Sequence, residues 1–107
     1  MKVLFKGWRC ILLPKRYNNN DRLALKLVDE EGIPIATCTV NLPFQELPEN
    51  CVFIKDWSEN EGMTEVLIAS NVINPIPLGR HTTGYVTVGA YELTDDCINY
   101  INTFFNE

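Results

Sequence analysis

The sequence lacks the short motifs that mark the common catalytic and metal sites. It has a single histidine, His81, and its four cysteines form no C-x-x-C pair, although close pairs of that kind are typical of zinc sites. No G-x-S-x-G, P-loop or H-E-x-x-H motif occurs, so the enzyme classes that those motifs mark are disfavoured. A catalytic histidine also needs a nucleophile and an orienting carboxylate. We therefore predict a protein that is not an enzyme and uses no cofactor or metal, with a structural or exposed His81.

Long apolar runs are also missing. No stretch approaches the roughly 20 apolar residues that a membrane-spanning helix needs. Lys2 precedes the first apolar run and Lys6 ends it, which leaves it shorter than the apolar core of about 7 to 15 residues in a signal peptide. We expect a cytoplasmic protein without a membrane partner, whose four cysteines are reduced and buried. Its 107 residues fit a single domain, 1–107.

Basic residues are scarce after residue 28. Residues 1–28 carry seven bases and one acid, whereas residues 29–107 carry two bases and thirteen acids, and the net charge is −5. An acidic chain is a poor default binder of nucleic acid, because phosphate contacts come from Lys and Arg. Two interpretations stay open. Either the two charge sets pair across neighbouring strands, which we favour, or the first hairpin carries a basic face of its own.

The first half of the chain shows the alternation of strands. Residues 3–13 predict a strand with a bulge or bend at Gly7 and an end at Pro14, which has no backbone N–H to donate. Leucines alternate with other residues over 22–28, and alternation resumes over 33–42. A turn with Gly lies between these two runs, so we predict that they form an antiparallel hairpin.

The second half mixes strands and helices. We predict strands over 51–55 and 84–93, with His81 in the loop before the second. One helix is expected to start after Ser58 and to end near Asn71, and another to begin at Thr94 as its N-cap. The predicted fold is α+β: a twisted antiparallel sheet, or a partly closed barrel, of about five strands with two short helices.

The densest polar cluster is the run KDWSENEGM at residues 55–63, called the corner below. Ser58 and Glu61 have the spacing of a capping box, and Met63 begins an apolar helical stripe. Gly62 has a conformational cost in a first helical turn, which would be offset by a close approach of another backbone or a ligand. For Trp57 we favour packing over recognition. The corner residues that local rules leave unexplained are the predicted binding residues: Lys55, Asp56, Trp57, Asn60 and Gly62.

The corner, with LALKLVD at 23–29 and IATCTVNLP at 35–43, resembles a family of small proteins that carry only a domain-of-unknown-function label. Phages, plasmids and conjugative elements of Gram-positive and gut bacteria encode them. TGYV at 83–86 resembles the Gly-aromatic-Val motif of that family. The resemblance spans about residues 22–93 and departs at the N-terminus and the C-terminal helix. It implies no catalytic residues, and it implies a context in which small acidic proteins manage host machinery, including defence systems.

Three hypotheses about function result. The leading one is a non-enzymatic phage or mobile-element protein that binds a host or mobile-element protein, such as a defence nuclease (of the CRISPR or restriction type) or its regulator. Acidic surfaces can occupy basic nucleic-acid channels. The alternative is a nucleic-acid-associated accessory module that uses the basic N-terminal hairpin, with Trp8 and Tyr17 as stacking side chains. The third is a small enzyme or ligand binder centred on the corner and His81, which requires an apolar pocket there.

Overall fold

A computed structural model describes residues 1–106, which form seven strands, two α-helices and one short 3₁₀ helix. The strands are β1 (Lys2–Phe5), β2 (Trp8–Arg16), β3 (Leu23–Val28), β4 (Pro34–Thr37), β5 (Cys51–Ile54), β6 (Gly79–Thr83) and β7 (Val86–Glu92). The helices are the 3₁₀ helix Ser58–Asn60, α1 (Met63–Ala69) and α2 (Asp95–Phe105). The predicted α+β class with two short helices is confirmed, but the strands number seven rather than about five.

The strands form two antiparallel sheets, with the orders β1-β2-β3-β4 and β5-β7-β6. The segment after β4 connects them. The Cys38 N–H donates to Leu25 of β3, while the Cys38 carbonyl accepts from Lys55 and the Val40 N–H donates to Phe53 of β5. The sheets therefore meet along residues 38–40 but do not close into a barrel.

The β1–β2 hairpin differs from the predicted single strand. Lys6 and Gly7 have φ values of 49° and 83°, which is the pattern of a two-residue type I′ turn, so Gly7 lies in a turn between two strands and not at a bulge or bend within one. Strand β2 also continues through Pro14. The Leu12 N–H donates to the Met1 carbonyl, so the nitrogen of Pro14 faces the same side, beyond the end of β1. No neighbouring strand needs its missing N–H there.

Of the remaining hairpins, β3–β4 confirms a prediction and β6–β7 contradicts one. Strands β3 and β4 pair as predicted, with Leu27 opposite Ala36. The predicted loop around His81 is wrong, because His81 lies in β6 directly opposite Val88. The turn that joins β6 to β7 begins at Gly84, whose φ of 60° suits the first position of a type II′ turn.

Both helices pack on the inner face of the four-stranded sheet. The main core joins the inward side chains of β2 and β3 to those of α1 and α2: Leu12, Leu25, Leu27, Met63, Leu67, Cys97 and Ile101. The predicted cap of α2 is confirmed, since the Thr94 hydroxyl accepts from the Cys97 N–H at 3.1 Å. Within residues 1–106, no helix combines the length and the apolar content that crossing a membrane requires.

Candidate functional site

The side chain of Asp56 caps the N-terminus of helix α1 from outside the helix. One carboxylate oxygen accepts from the Gly62 N–H at 2.7 Å, and the other accepts from the Thr64 N–H at 3.0 Å. Burial on its own would raise the pKa of the Asp56 carboxyl, but hydrogen bonds from Thr64, Gly62 and Met63 outweigh it and lower that pKa below its usual value. The carboxylate thus satisfies backbone donors that the first helical turn leaves unpaired.

The predicted capping box is wrong. Ser58 has a φ of 54° and starts the 3₁₀ helix, and its side chain makes no capping hydrogen bond. Helix α1 begins only at Met63, after Gly62 with a φ of 93°. A Cβ atom at Gly62 would have nothing within 4 Å, so the glycine serves the left-handed backbone and not the close approach of another group. Asp56 lies six residues before Gly62 and eight before Thr64, which is outside the spacing that the sequence rules for helix caps use.

Asn60 connects the corner to the first sheet. Its side chain is 1% exposed, and its amide nitrogen donates to the Thr37 carbonyl at 2.6 Å and to the Lys55 carbonyl at 3.2 Å. A buried amide needs such partners, because an unpaired polar group in the interior costs about 1 to 3 kcal/mol. Asn60 therefore has a structural task between β4 and β5.

Two lysines contact Glu59, and one of them links the corner to the β1–β2 turn. Lys55 forms an ion pair with the Glu59 carboxylate at 2.6 Å, and Lys6 of the β1–β2 turn donates to the Glu59 carbonyl at 2.8 Å. The hydrogen bond from Lys55 also lowers the pKa of the Glu59 carboxyl. Exposed ion pairs of this kind contribute little to stability, so their role is to orient Glu59 and the hairpin tip.

Trp57 is half-buried. It packs against a second, smaller core cluster around Phe53, Val88 and Ala90. Since Asp56, Asn60 and Gly62 also have defined roles inside the chain, the corner is accounted for mainly as the joint between both sheets and α1. Of the five predicted binding residues, Asn60 is buried, and Lys55, Asp56, Trp57 and Gly62 are half-buried. The Asp56 carboxylate is already engaged by backbone donors and Gly62 has no side chain, which leaves Lys55 and Trp57 for contact with a partner.

His81 contacts the same small cluster. Its ring meets the ring of Phe53 edge-on, with 5.3 Å between the centroids. Within residues 1–106, its side chain has no hydrogen bond or ion pair, and no three His, Cys, Asp or Glu side chains converge where they could hold a metal ion. Phe53 itself is 1% exposed, and none of the three clefts described below is lined by His81 or by a residue of the corner.

The largest cleft described lies away from the corner. It has a volume of about 500 Å³ and is bordered by Arg16, Asp21 and Arg22. Both guanidinium groups are already engaged, because Arg22 donates to the carbonyls of Leu42 and Gln45, and Arg16 donates to that of Asp21. These arginines therefore shape the loops around the cleft.

The outer surface of the four-stranded sheet is the most distinctive exposed feature. We call it the basic–aliphatic face. Its aliphatic residues are Leu4, Ile11, Leu13 and Val28, and its basic residues are Lys2, Arg9, Lys15 and Lys26. Leu4 is 63% exposed and Ile11 is 40% exposed, and none of the four aliphatic side chains belongs to either core cluster. Alternation along β1, β2 and β3 places all eight side chains opposite to the core.

The expected pairing of the two charge sets is wrong. Among residues 1–106, the ion pairs within 4.0 Å are limited to that of Lys55 with Glu59. The strand register gives the reason, since each base of the basic–aliphatic face lies opposite an aliphatic residue. These pairs are Lys2 with Ile11, Arg9 with Leu4, Lys26 with Leu13, and Lys15 with Ala24. Four positive charges thus remain without a carboxylate partner in the described part of the chain, 1–106.

The two predicted stacking residues are not on this face. Trp8 has the parity of Cys10 and Leu12, which point into the core, and it is 55% exposed only because it lies at the hairpin tip. The Tyr17 hydroxyl shares a 2.9 Å hydrogen bond with Thr39, and burial raises its pKa. The face therefore offers positive charge and aliphatic surface but no aromatic ring.

Comparison of the chain with protein-family models, curated proteins and solved structures finds no match.

Proposed function

We propose that this protein works by binding another protein, without catalysis, and that it does so through the basic–aliphatic face. The observation that carries the proposal is the exposure of Leu4 and Ile11 within a field of four unpaired bases. A sheet in an α+β domain normally buries one face and keeps the other polar, and exposed apolar surface rimmed by charge is typical of interaction sites. Lys55 and Trp57 of the corner are proposed as a secondary contact.

The biological setting in this proposal comes from the resemblance to phage and mobile-element proteins. The protein would act in the bacterial cytoplasm on a nuclease of a CRISPR or restriction system, or on a regulator of one. Such an inhibitor works by occupying a surface, which requires shape and charge but no reactive group. The charge separation between the first 28 residues and the rest gives the chain both a basic and an acidic side.

The test is protection of a phage in cells that carry a defined defence system, followed by recovery of the bound host protein. The double variant Leu4→Asp/Ile11→Asp should abolish both protection and recovery. The matched control is Ile76→Asp, which changes an aliphatic residue that is 78% exposed in the segment before β6. Absence of protection against every defence system tried, or full activity of the double variant, would refute the proposal.

A second candidate is the nucleic-acid accessory module, which the four unpaired bases favour. It predicts binding to single-stranded DNA or RNA that weakens steeply as salt rises, because bound phosphates release counterions. The absence of Trp8 and Tyr17 from the face removes its stacking platform and with it much of its binding energy. A flat titration of labelled oligonucleotide at low salt would eliminate this candidate.

A further inference from the structure

Two shallow grooves border the face. The first, of about 440 Å³, is lined by β1 and β2 and also by Ala69 and Ser70 at the end of α1, so it reaches the edge of the sheet at β1. The second, of about 350 Å³, lies over β2, β3 and β4. Ile11 borders the first groove and Leu13 the second, so an aliphatic ridge on β2 separates them. Four strands about 4.8 Å apart span about 14 Å, which is wide enough for one α-helix of about 10 Å diameter.

The sheet also lacks its second covering layer. Both helices of the chain lie on the inner face, and Leu13 and Val28 are left half-buried outside the two core clusters. Helices are the usual cover of an exposed sheet face in α+β domains. Apolar residues three and four apart on a helix lie about 5 to 6 Å from one another, close to the distance of about 6.8 Å between alternate residues of a strand such as Ile11 and Leu13.

The bases that border the two grooves favour a partner helix with acidic side chains. Lys2 and Arg9 border one groove and Lys15 and Lys26 border the other, with Glu30 as the acidic residue at the margin of the first. A partner helix with acids on both sides of its apolar stripe would match both rims. A symmetric contact between two copies of this face would set four bases against four bases, and like charges across an interface are unfavourable.

We infer, on the basis of the proposed function, that the occupant of the basic–aliphatic face is an amphipathic α-helix of a partner protein, with Asp or Glu flanking an aliphatic stripe. The stripe packs on Leu4, Ile11, Leu13 and Val28. The flanking carboxylates pair with the bases at the two rims. This is recognition of a helix in a groove, with the groove built on a sheet.

The test uses three labelled peptides of about 20 residues, a length of about 30 Å as a helix. In the first, Leu repeats at helical spacing and Glu flanks the stripe. The second has the same composition with the Leu positions shuffled, and the third has Lys in place of Glu. We expect the first peptide to bind the full-length protein and to gain helical circular dichroism, and the other two to bind at least tenfold more weakly.

Charge reversal gives the decisive comparison. The variant Arg9→Glu/Lys26→Glu should lose at least tenfold in affinity for the Glu peptide and gain affinity for the Lys peptide, with both differences shrinking as salt rises. The control Arg80→Glu changes an exposed base of β6, away from the face, and should bind the Glu peptide as the parent does. Melting curves of the variants verify that each is folded.

Three results would overturn the inference: equal binding of the ordered and shuffled Glu peptides, no binding of the Glu peptide at millimolar concentration, or displacement of it by a thymidine oligonucleotide. The last result would assign the face to nucleic acid. If Leu4→Asp/Ile11→Asp loses the host protein while the Glu peptide does not bind, the proposed function stands and the helical partner is wrong. If that variant keeps the host protein, the proposed function itself fails.

Discussion

Replacement of Asp56 by alanine tests the structural account of the corner most directly. The Asp56 carboxylate holds the N–H groups of Gly62 and Thr64, at 2.7 and 3.0 Å. Alanine leaves both donors without their acceptor at the start of α1. Helix caps changed to alanine cost about 0.5 to 2 kcal/mol, and hydrogen bonds to a charged group contribute about 1.5 to 3 kcal/mol each. Water can reach this half-buried site, so we expect a loss of about 2 to 3 kcal/mol.

The assay is urea denaturation, followed by tryptophan fluorescence and by circular dichroism. The matched control is Glu61→Ala. Glu61 is an exposed acid of the same corner, and its change should leave the free energy of unfolding within about 0.5 kcal/mol of the parent. The melting temperature of Asp56→Ala should fall by about 10 to 20 °C, since 1 kcal/mol corresponds to roughly 4 to 8 °C in a domain of about this size.

The pH dependence provides an independent check. The native pKa of Asp56 is lowered, so its stabilisation is complete above the unfolded pKa of about 3.9 and is lost as the pH falls through the native value. The difference in stability between the parent and Asp56→Ala should therefore be constant near pH 6 to 7 and should shrink below about pH 4. An equal cost for Glu61→Ala, or a cost below about 0.5 kcal/mol for Asp56→Ala, would show that the helix start is not held as described.

Two further substitutions and one labelling experiment test other parts of the fold. Asn60→Ala should lower the free energy of unfolding in urea by about 2 to 4 kcal/mol, because it removes both buried donors to the carbonyls of Thr37 and Lys55. A near-neutral result would contradict the role of Asn60 as a joint between the sheets. Gly62→Ala should cost about 1 to 2 kcal/mol because its φ is 93°, whereas the control Gly79→Ala, with open space and no positive φ, should be close to neutral. The thiol of Cys38, whose pKa burial raises to about 12, should resist Ellman's reagent until the protein is denatured, and rapid labelling of the native protein would refute the buried placement.

The sequence predicted those elements whose signals are local. Alternating leucines identified the β3–β4 hairpin, and Thr94 before two acids identified the start of α2. The four cysteines are free and buried, as their spacing and the expected compartment indicated. In each case, side-chain period or cap chemistry is set by neighbours within a few residues, so tertiary contacts did not need to be known.

The errors arose where distant contacts decide the structure. The Ser58–Glu61 spacing fits a capping box, but Asp56 instead accepts from the N–H groups of Gly62 and Thr64 at the start of α1, and the chain turns through a positive φ at Ser58. Strand β6 has a short, polar sequence that becomes a strand by pairing with β7. The basic–aliphatic face could not be predicted without the strand register. The register shows which residue lies opposite each base, and hence that the charges are not neutralised.

Binding of a partner at the basic–aliphatic face would change the charge of the surface that stays exposed. A partner that covers the basic–aliphatic face removes four of the nine bases of the chain from solvent, namely Lys2, Arg9, Lys15 and Lys26. What stays visible includes Glu65, Glu92, Asp95 and Asp96, all of which are exposed. A nucleic-acid enzyme held in this way would gain a negatively charged shield beside its own binding surface, and incoming phosphates would be repelled at a distance set by the Debye length. Inhibition would then not require the chain to enter the active site.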